Sequence, residues 1–191
     1  MPLPDELAAL HKEAERRLRW QVWLLEMTTD LGVPAYWAYT PAPEPTAAAR
    51  LRGCGASLSA RYAAERALSE LIQSYSLRTE AGPTKERRGQ TPAYPPLHRC
   101  YLADFSTRIP EANVVPFSDN TTVPDTPHGH LAALREALGT SGFTPRAYER
   151  HVSDNLAVVN IIIPGLERFF LITEGDVVVP GSRGITFLNH P

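Results

Sequence analysis

Two things are scarce in this chain, long apolar runs and cysteine, and each scarcity closes off a class of protein. The longest strongly apolar stretch, Leu156 to Ile163 with Asn160 inside it, has the length of a buried strand and falls far short of a bilayer span. No membrane segment is expected. The two cysteines, Cys54 and Cys100, lie far apart and form no Cys-x-x-Cys pair, so spacing supports neither a zinc cluster nor a disulfide framework. Excess charge of one sign is also lacking: a formal net charge of -2 excludes a nucleic-acid role resting on bulk electrostatics. The N-terminus, Met-Pro-Leu-Pro-Asp-Glu-Leu, lacks the basic and then apolar order of a secretory signal, which makes the cytoplasm the expected compartment.

What is present is a folded domain's composition. At 191 residues and 43% hydrophobic content, the chain can bury one core, with room for a smaller subdomain. Its clearest periodic segment begins at Ala60. Ala60, Ala63, Ala64, Ala67, Leu68, Leu71, Ile72 and Tyr75 follow the i, i+3, i+4, i+7 spacing of an amphipathic helix. Ser57 or Ser59 can accept from the first-turn amides, and Gly53-Cys54-Gly55 reads as a tight glycine turn leading into the helix. The opposite face carries Arg66, Ser69, Glu70 and Gln73, with Glu70 and Gln73 three residues apart and therefore side by side. Periodicity alone makes Arg66 and Glu70 a solvated i, i+4 pair worth about 0.5 kcal/mol.

Other candidates read as structure rather than chemistry. His128-Gly129-His130 follows Pro-Asp-Thr-Pro and reads as the entry loop of a helix beginning at Leu131. His151 alternates with strand residues. Cys54 is a small side chain tolerated in the glycine turn. Residues 78–127 have the composition of loop or partial disorder, with a short strand or helix at Leu102-Ala103-Asp104-Phe105 and with Lys85, Arg87 and Arg88 on the surface.

An internal repeat is visible without reference to any other protein. Glu26 to Glu44 can be laid over Glu149 to Glu167 with one gap, each copy reading as polar turn, apolar strand, then Pro-x-x-Glu. An amphipathic helix precedes each copy, marked by Leu7, Leu10, Ala14 and Leu18 in the first and by Leu131, Leu134 and Leu138 in the second.

Several blocks resemble the YcaO family, which uses ATP to phosphorylate backbone amide oxygens of ribosomally made peptides. Gly-x-Gly, then Ser, then Arg66-Ala67-Leu68-Ser69-Glu70-Leu71-Ile72-Gln73-Ser74 is similar to the family's second ATP and magnesium motif. Thr28-Thr29-Asp30-Leu31-Gly32-Val33-Pro34 resembles its strand–turn–strand. Pro164-Gly165-Leu166-Glu167 and Pro180-Gly181-Ser182-Arg183 resemble its Pro-Gly-Leu-Glu and Pro-Gly-x-Arg segments. The resemblance implies an α+β, YcaO-like fold of mixed sheets with packed helices, carrying the helix–strand repeat. Residues 1–78 would hold a helix, a strand pair and the motif helix, 79–127 a Pro/Gly-rich loop region, and 128–191 the second repeat unit.

For the site, the resemblance implies nucleotide contacts from Gly53, Gly55, Ser57, Glu70 and Gln73, with Glu70 and Gln73 on magnesium; it designates no catalytic side chain. ATP and Mg2+ are the implied cofactors and a ribosomal precursor peptide the implied substrate. The implied product is an azoline (cyclodehydratase) or a thioamide (thioamidation). The family's other metal motif, a Glu-x-x-Glu helix, has no counterpart, since Glu13-Ala14-Glu15 and Glu65 have the wrong spacing. Ser74-Tyr75 stand where an arginine commonly follows the motif, and the chain stops at Leu188-Asn189-His190-Pro191 without a proline-rich terminus. An incomplete domain, roughly a C-terminal half, is therefore expected. Its implied partners are a second YcaO-like half and a leader-binding or TfuA-like protein, with no nucleic acid and no membrane. A non-catalytic binding module and an inactive truncated fragment stand as alternatives.

Overall fold

The computed structural model describes residues 3–41, 51–81, 93–102, 108–119, 123–167, 172 and 176–189. The chain divides into two units, Met1–Val123 with Phe170–Val177 and Pro124–Phe169 with Val178–Pro191.

In the first unit, helix α1 (Asp5–Leu18) precedes strands β1 (Trp23–Glu26), β2 (Ala35–Tyr39) and β3 (Arg52–Ala56), followed by helix α2 (Ala60–Ala81) and helix α3 (Pro95–Leu102). Asp5 and Glu6 in the first turn of α1 and Arg16 and Arg17 in its last suit the helix dipole, and the helix stops at Arg19 in the left-handed conformation. The strands form one antiparallel sheet in the order β1-β2-β3. The Thr-Thr-Asp-Leu-Gly turn between β1 and β2 is closed by Gly32 N donating to Thr29 O at 3.0 Å. α1 and α2 pack on each other, and the core lies between these helices and one face of the sheet. It is built from Leu7, Ala14, Leu18, Tyr36, Ala38, Ala63, Ala67, Leu68 and Leu71. The alanines anticipated from helical spacing are the ones that carry α2 close to the sheet.

One expectation for local structure in this unit changes. The stretch read as loop contains α3, which opens on Pro95 and Pro96, because proline is tolerated in a first helical turn where its missing N–H leaves no bond unmade. Ala103 to Phe105, and Lys85, Arg87 and Arg88, lie outside the described residues.

In the second unit, helix α4 (Pro127–Thr140) leads to the antiparallel pair β4 (Arg146–Ser153) and β5 (Leu156–Ile162), and helix α5 (Ser182–Asn189) follows. α4 starts earlier than expected. Thr126 is its N-cap, accepting from Gly129 N at 3.1 Å, so His128 and His130 belong to the helix's first turn rather than to an entry loop. Its end is a Schellman motif, with Phe143 N donating to Leu138 O and Gly142 N to Gly139 O, and Gly142 supplying φ +79°. His151 lies in β4, as its alternation indicated.

The repeat is present in three dimensions. Trp23 pairs with Tyr39 and Glu26 with Tyr36 in the first copy; Arg146 pairs with Ile162 and Glu149 with Val159 in the second. One and the same sequence offset carries each pair onto its counterpart. Both copies run helix, strand, turn, strand.

Candidate nucleotide site

The segment read as a glycine turn is a strand. Gly53 and Gly55 are buried positions of β3, paired with Ala38 and Tyr36, and the reason for glycine there is spatial. A Cβ on Gly53 would stand 2.1 Å from Ala67 O and 2.3 Å from Leu71 N; one on Gly55 would stand 2.0 Å from Ala63 O. The backbone of α2 lies directly on the backbone of β3, a separation that no side chain survives. Spacing in sequence distinguishes poorly between a glycine needed for a turn and one needed for close approach. Small residues facing these glycines, Ala63 and Ala67, were the available signal.

Ser57 follows the strand. Its backbone N–H donates to Pro34 O at 3.0 Å and its hydroxyl accepts from Ser59 N at 3.2 Å, which organises the lead-in to α2. Ser59 is the residue whose hydroxyl accepts from the first turn, from Tyr62 N at 3.1 Å.

Glu70 and Gln73 stand together on the outward face of α2. With Tyr62, Glu65, Arg66 and Ser69 they line one open concavity. The structure thus joins Glu70 to Gln73, whereas Ser57 precedes the helix start by three residues, and ten further residues, roughly 15 Å of helix, separate Ala60 from Glu70. Gly53 links the two levels, since its missing side chain lets the peptide joining Glu70 to Leu71 rest on β3. Tyr62 was not singled out in the sequence, and Glu65 was weighed only for a Glu-x-x-Glu spacing and not placed on this face. Their spacing at 62, 65, 66, 69 and 73 is the helical signal that could have found them.

The donor set on this face is all hard oxygen: carboxylates of Glu65 and Glu70, the Gln73 amide and the Ser69 hydroxyl. That chemistry suits magnesium, which keeps several waters and takes one or two protein carboxylates alongside phosphate oxygens. No cluster of three or more His, Cys, Asp or Glu able to hold a metal by itself occurs among the described residues. The set fits one side of a metal–phosphate site.

Cys54 is poorly suited to act as a nucleophile at neutral pH. Burial pushes its thiol up to about 11, and the Glu70 carboxylate adds to the shift while Arg52 opposes it. Arg52 itself is occupied, donating to Tyr101 O at 3.1 Å with its guanidinium 5.9 Å from the Trp37 ring centre.

The two motifs near the C-terminus meet. The Glu167 carboxylate of Pro-Gly-Leu-Glu accepts from Gly181 N at 3.0 Å and from Gly184 N at 2.9 Å, where Pro-Gly-Ser-Arg begins α5. These N–H groups, Gly181 first, hold the Glu167 carboxyl below the usual carboxylate range.

The sequence profile of the family described as YcaO cyclodehydratase, ATP- and Mg2+-binding, matches residues 1–167, and the chain belongs to the YcaO family. Among solved structures, it is similar to YcaO from Methanopyrus kandleri bound with AMPPCP and Mg2+, at 19% identity and TM-score 0.60 over 96% of this chain and 49% of that one. A heterocyclase in complex with substrate and cofactor matches at 18% identity and TM-score 0.61. The heterocyclase TruD matches at 22% and 0.57; in both cases 85% of this chain and 22% of the other is covered. These likenesses establish the shared fold. The chain spans about half of the Methanopyrus protein and about a fifth of each heterocyclase. No curated protein matches the sequence. Among the described residues no helix is long and apolar enough to cross a membrane.

Proposed function

We propose that this chain supplies one wall of the ATP and magnesium site of a YcaO-type enzyme that activates backbone amides of a ribosomally made precursor peptide. A partner polypeptide supplies the opposite carboxylates. The observation that carries this reading is the shared outward face of Glu70 and Gln73 in a chain of this family. Glu70 would hold the magnesium ion and Gln73 would orient one of its waters. Arg66, on the same face, would donate to phosphate oxygen. The bound ion and ATP supply charge neutralisation and the phosphoryl group. Gly53 and Gly55 act in this reading by setting the depth of α2, and Ser57 by fixing the chain's entry to it.

Glu65 and Glu70 alone would hold magnesium weakly, and without the ion the phosphate charge stays unneutralised, so the purified chain is expected to bind ATP weakly and to turn it over negligibly. The test adds a YcaO-type polypeptide that carries a Glu-x-x-Glu helix and follows ATP turnover and precursor-peptide mass, where loss of water marks an azoline and exchange of oxygen for sulfur a thioamide. Turnover that needs both chains and vanishes in Glu70→Ala supports the reading. Strong magnesium-dependent turnover by the chain alone sinks it, and peptide binding indifferent to Glu70→Ala makes the chain a binding module.

A further inference from the structure

The two copies of the repeat are alike in strand register and unlike in what covers them. In the first, Tyr36 and Ala38 on β2 are 7% and 0% exposed, because β3 pairs with the edge of β2 and α2 lies over the face these residues share with Gly53 and Gly55. Their counterparts on β5, by the offset that superposes the strand pairs, are Val159 and Ile161. These are 46% and 57% exposed. Among the described residues the β4–β5 sheet has two strands, so β5 has an unpaired edge. The helices differ in the same sense: α1 buries Leu7 and Leu18 and packs on α2, whereas Leu131 of α4 stands exposed.

Edge strands are normally guarded by charge or proline. β4 carries Arg146, Glu149, Arg150 and His151, but β5, Leu-Ala-Val-Val-Asn-Ile-Ile, has neither. An uncharged edge beside an apolar face has the character of an interface.

We infer that the second copy is a docking surface for a strand followed by an amphipathic helix, supplied by a partner polypeptide. The strand would pair antiparallel with the open edge of β5, as β3 pairs with β2. The helix would lie over Val159 and Ile161 and reach Leu131. This chain's own β3 and α2 do not fit the role in a second copy, since each is already locked to the other by the glycine contacts. Ile161, standing where the first copy has Ala38, keeps the incoming helix further from the sheet, so its inward face needs larger apolar residues than the alanines of α2. The inference deepens the proposed function, from which it takes the partner polypeptide, and adds where that chain binds.

The test mixes the 191-residue chain with a YcaO-type polypeptide that carries a Glu-x-x-Glu helix and measures complex mass by light scattering, hydrogen exchange along β5, and ATP turnover separately. The expected result is a one-to-one complex in which β5 amides become slow to exchange. The double variant Val159→Asp, Ile161→Asp weakens the complex on the order of a hundredfold while leaving the free chain's fold unchanged by circular dichroism. The protection of β5 in the unsubstituted complex decides the matter should the variant fail to fold. A complex with these properties but without ATP turnover upholds the docking surface and removes the proposed function. Turnover from a complex that neither protects β5 nor responds to the variant overturns the docking surface and keeps the function. Self-association of the chain through β5, or no complex at all, also overturns it.

Discussion

Glu167 and Gly184 are joined by a 2.9 Å hydrogen bond from the Gly184 N–H to the carboxylate, across seventeen residues of sequence. With the bonds from Gly181, it makes Glu167 the cap of α5, a negative charge at the positive end of a helix dipole. Pro-Gly-Leu-Glu and Pro-Gly-Ser-Arg are thus two ends of a single contact.

Replacing Glu167 with Ala removes all three hydrogen bonds. Amides in the first turn of α5 should exchange at least several-fold faster, while those of α2 keep their rates. Glu167→Gln, which retains one acceptor, should fall between. Because the folded carboxyl is held below its usual range, this cap is complete above that range and is lost as pH falls through the folded value. Protection of the α5 amides, taken relative to their intrinsic exchange at each pH, that does not fall in acid would refute the capping role.

Glu13 offers a second acid titration, of different origin. Arg16 and Arg17 both bond its carboxylate and lower it from 4.5 to about 2. The pairing is therefore in place above about 4.5 and disappears as pH falls towards about 2. A carboxyl-carbon titration by NMR should place the midpoint well under the free value, and Arg16→Ala should raise it. The site is exposed, so salt should raise it too.

The thiol of Cys54 should resist alkylation. A shift from 9.0 to about 11 leaves on the order of a hundredfold less thiolate at neutral pH. Iodoacetamide labelling followed by peptide mass analysis should find exposed Cys100 modified well before Cys54. Equal rates would contradict the raised thiol of half-buried Cys54.

Gly53→Ala and Gly55→Ala should each destabilise the first unit by about 3 kcal/mol, since the new methyl group meets helix backbone rather than a movable side chain. Urea denaturation measures this directly. Gly139→Ala, in α4 with open space around its Cβ position, should be neutral or stabilising by about 0.5 kcal/mol.

How much of this was legible in the sequence depends on whether one element or two decide the outcome. α2 was readable from Ala60 to Tyr75 because amphipathic spacing belongs to a single helix. The repeat was readable because both copies keep the same turn and strand pattern. β3 was not, since a glycine's purpose is set by what packs behind it, here Ala67 and Leu71 ten or more residues later. α3 was hidden by Pro95 and Pro96, which normally break helices and here begin one. Of the proposed site, Glu70 and Gln73 were legible as i, i+3 neighbours. Glu65 was set aside for its spacing, because its worth depends on sharing a concavity, which only the folded surface displays.

The backbone contact between β3 and α2 changes how substitution data on this chain should be interpreted. A mutational scan will show Gly53 and Gly55 accepting almost nothing, the profile usually taken as the mark of a phosphate-binding loop. Here that intolerance measures the thickness of a two-layer packing. A phenotype at either glycine is separated from a ligand effect only when folded-protein yield is scored alongside nucleotide affinity.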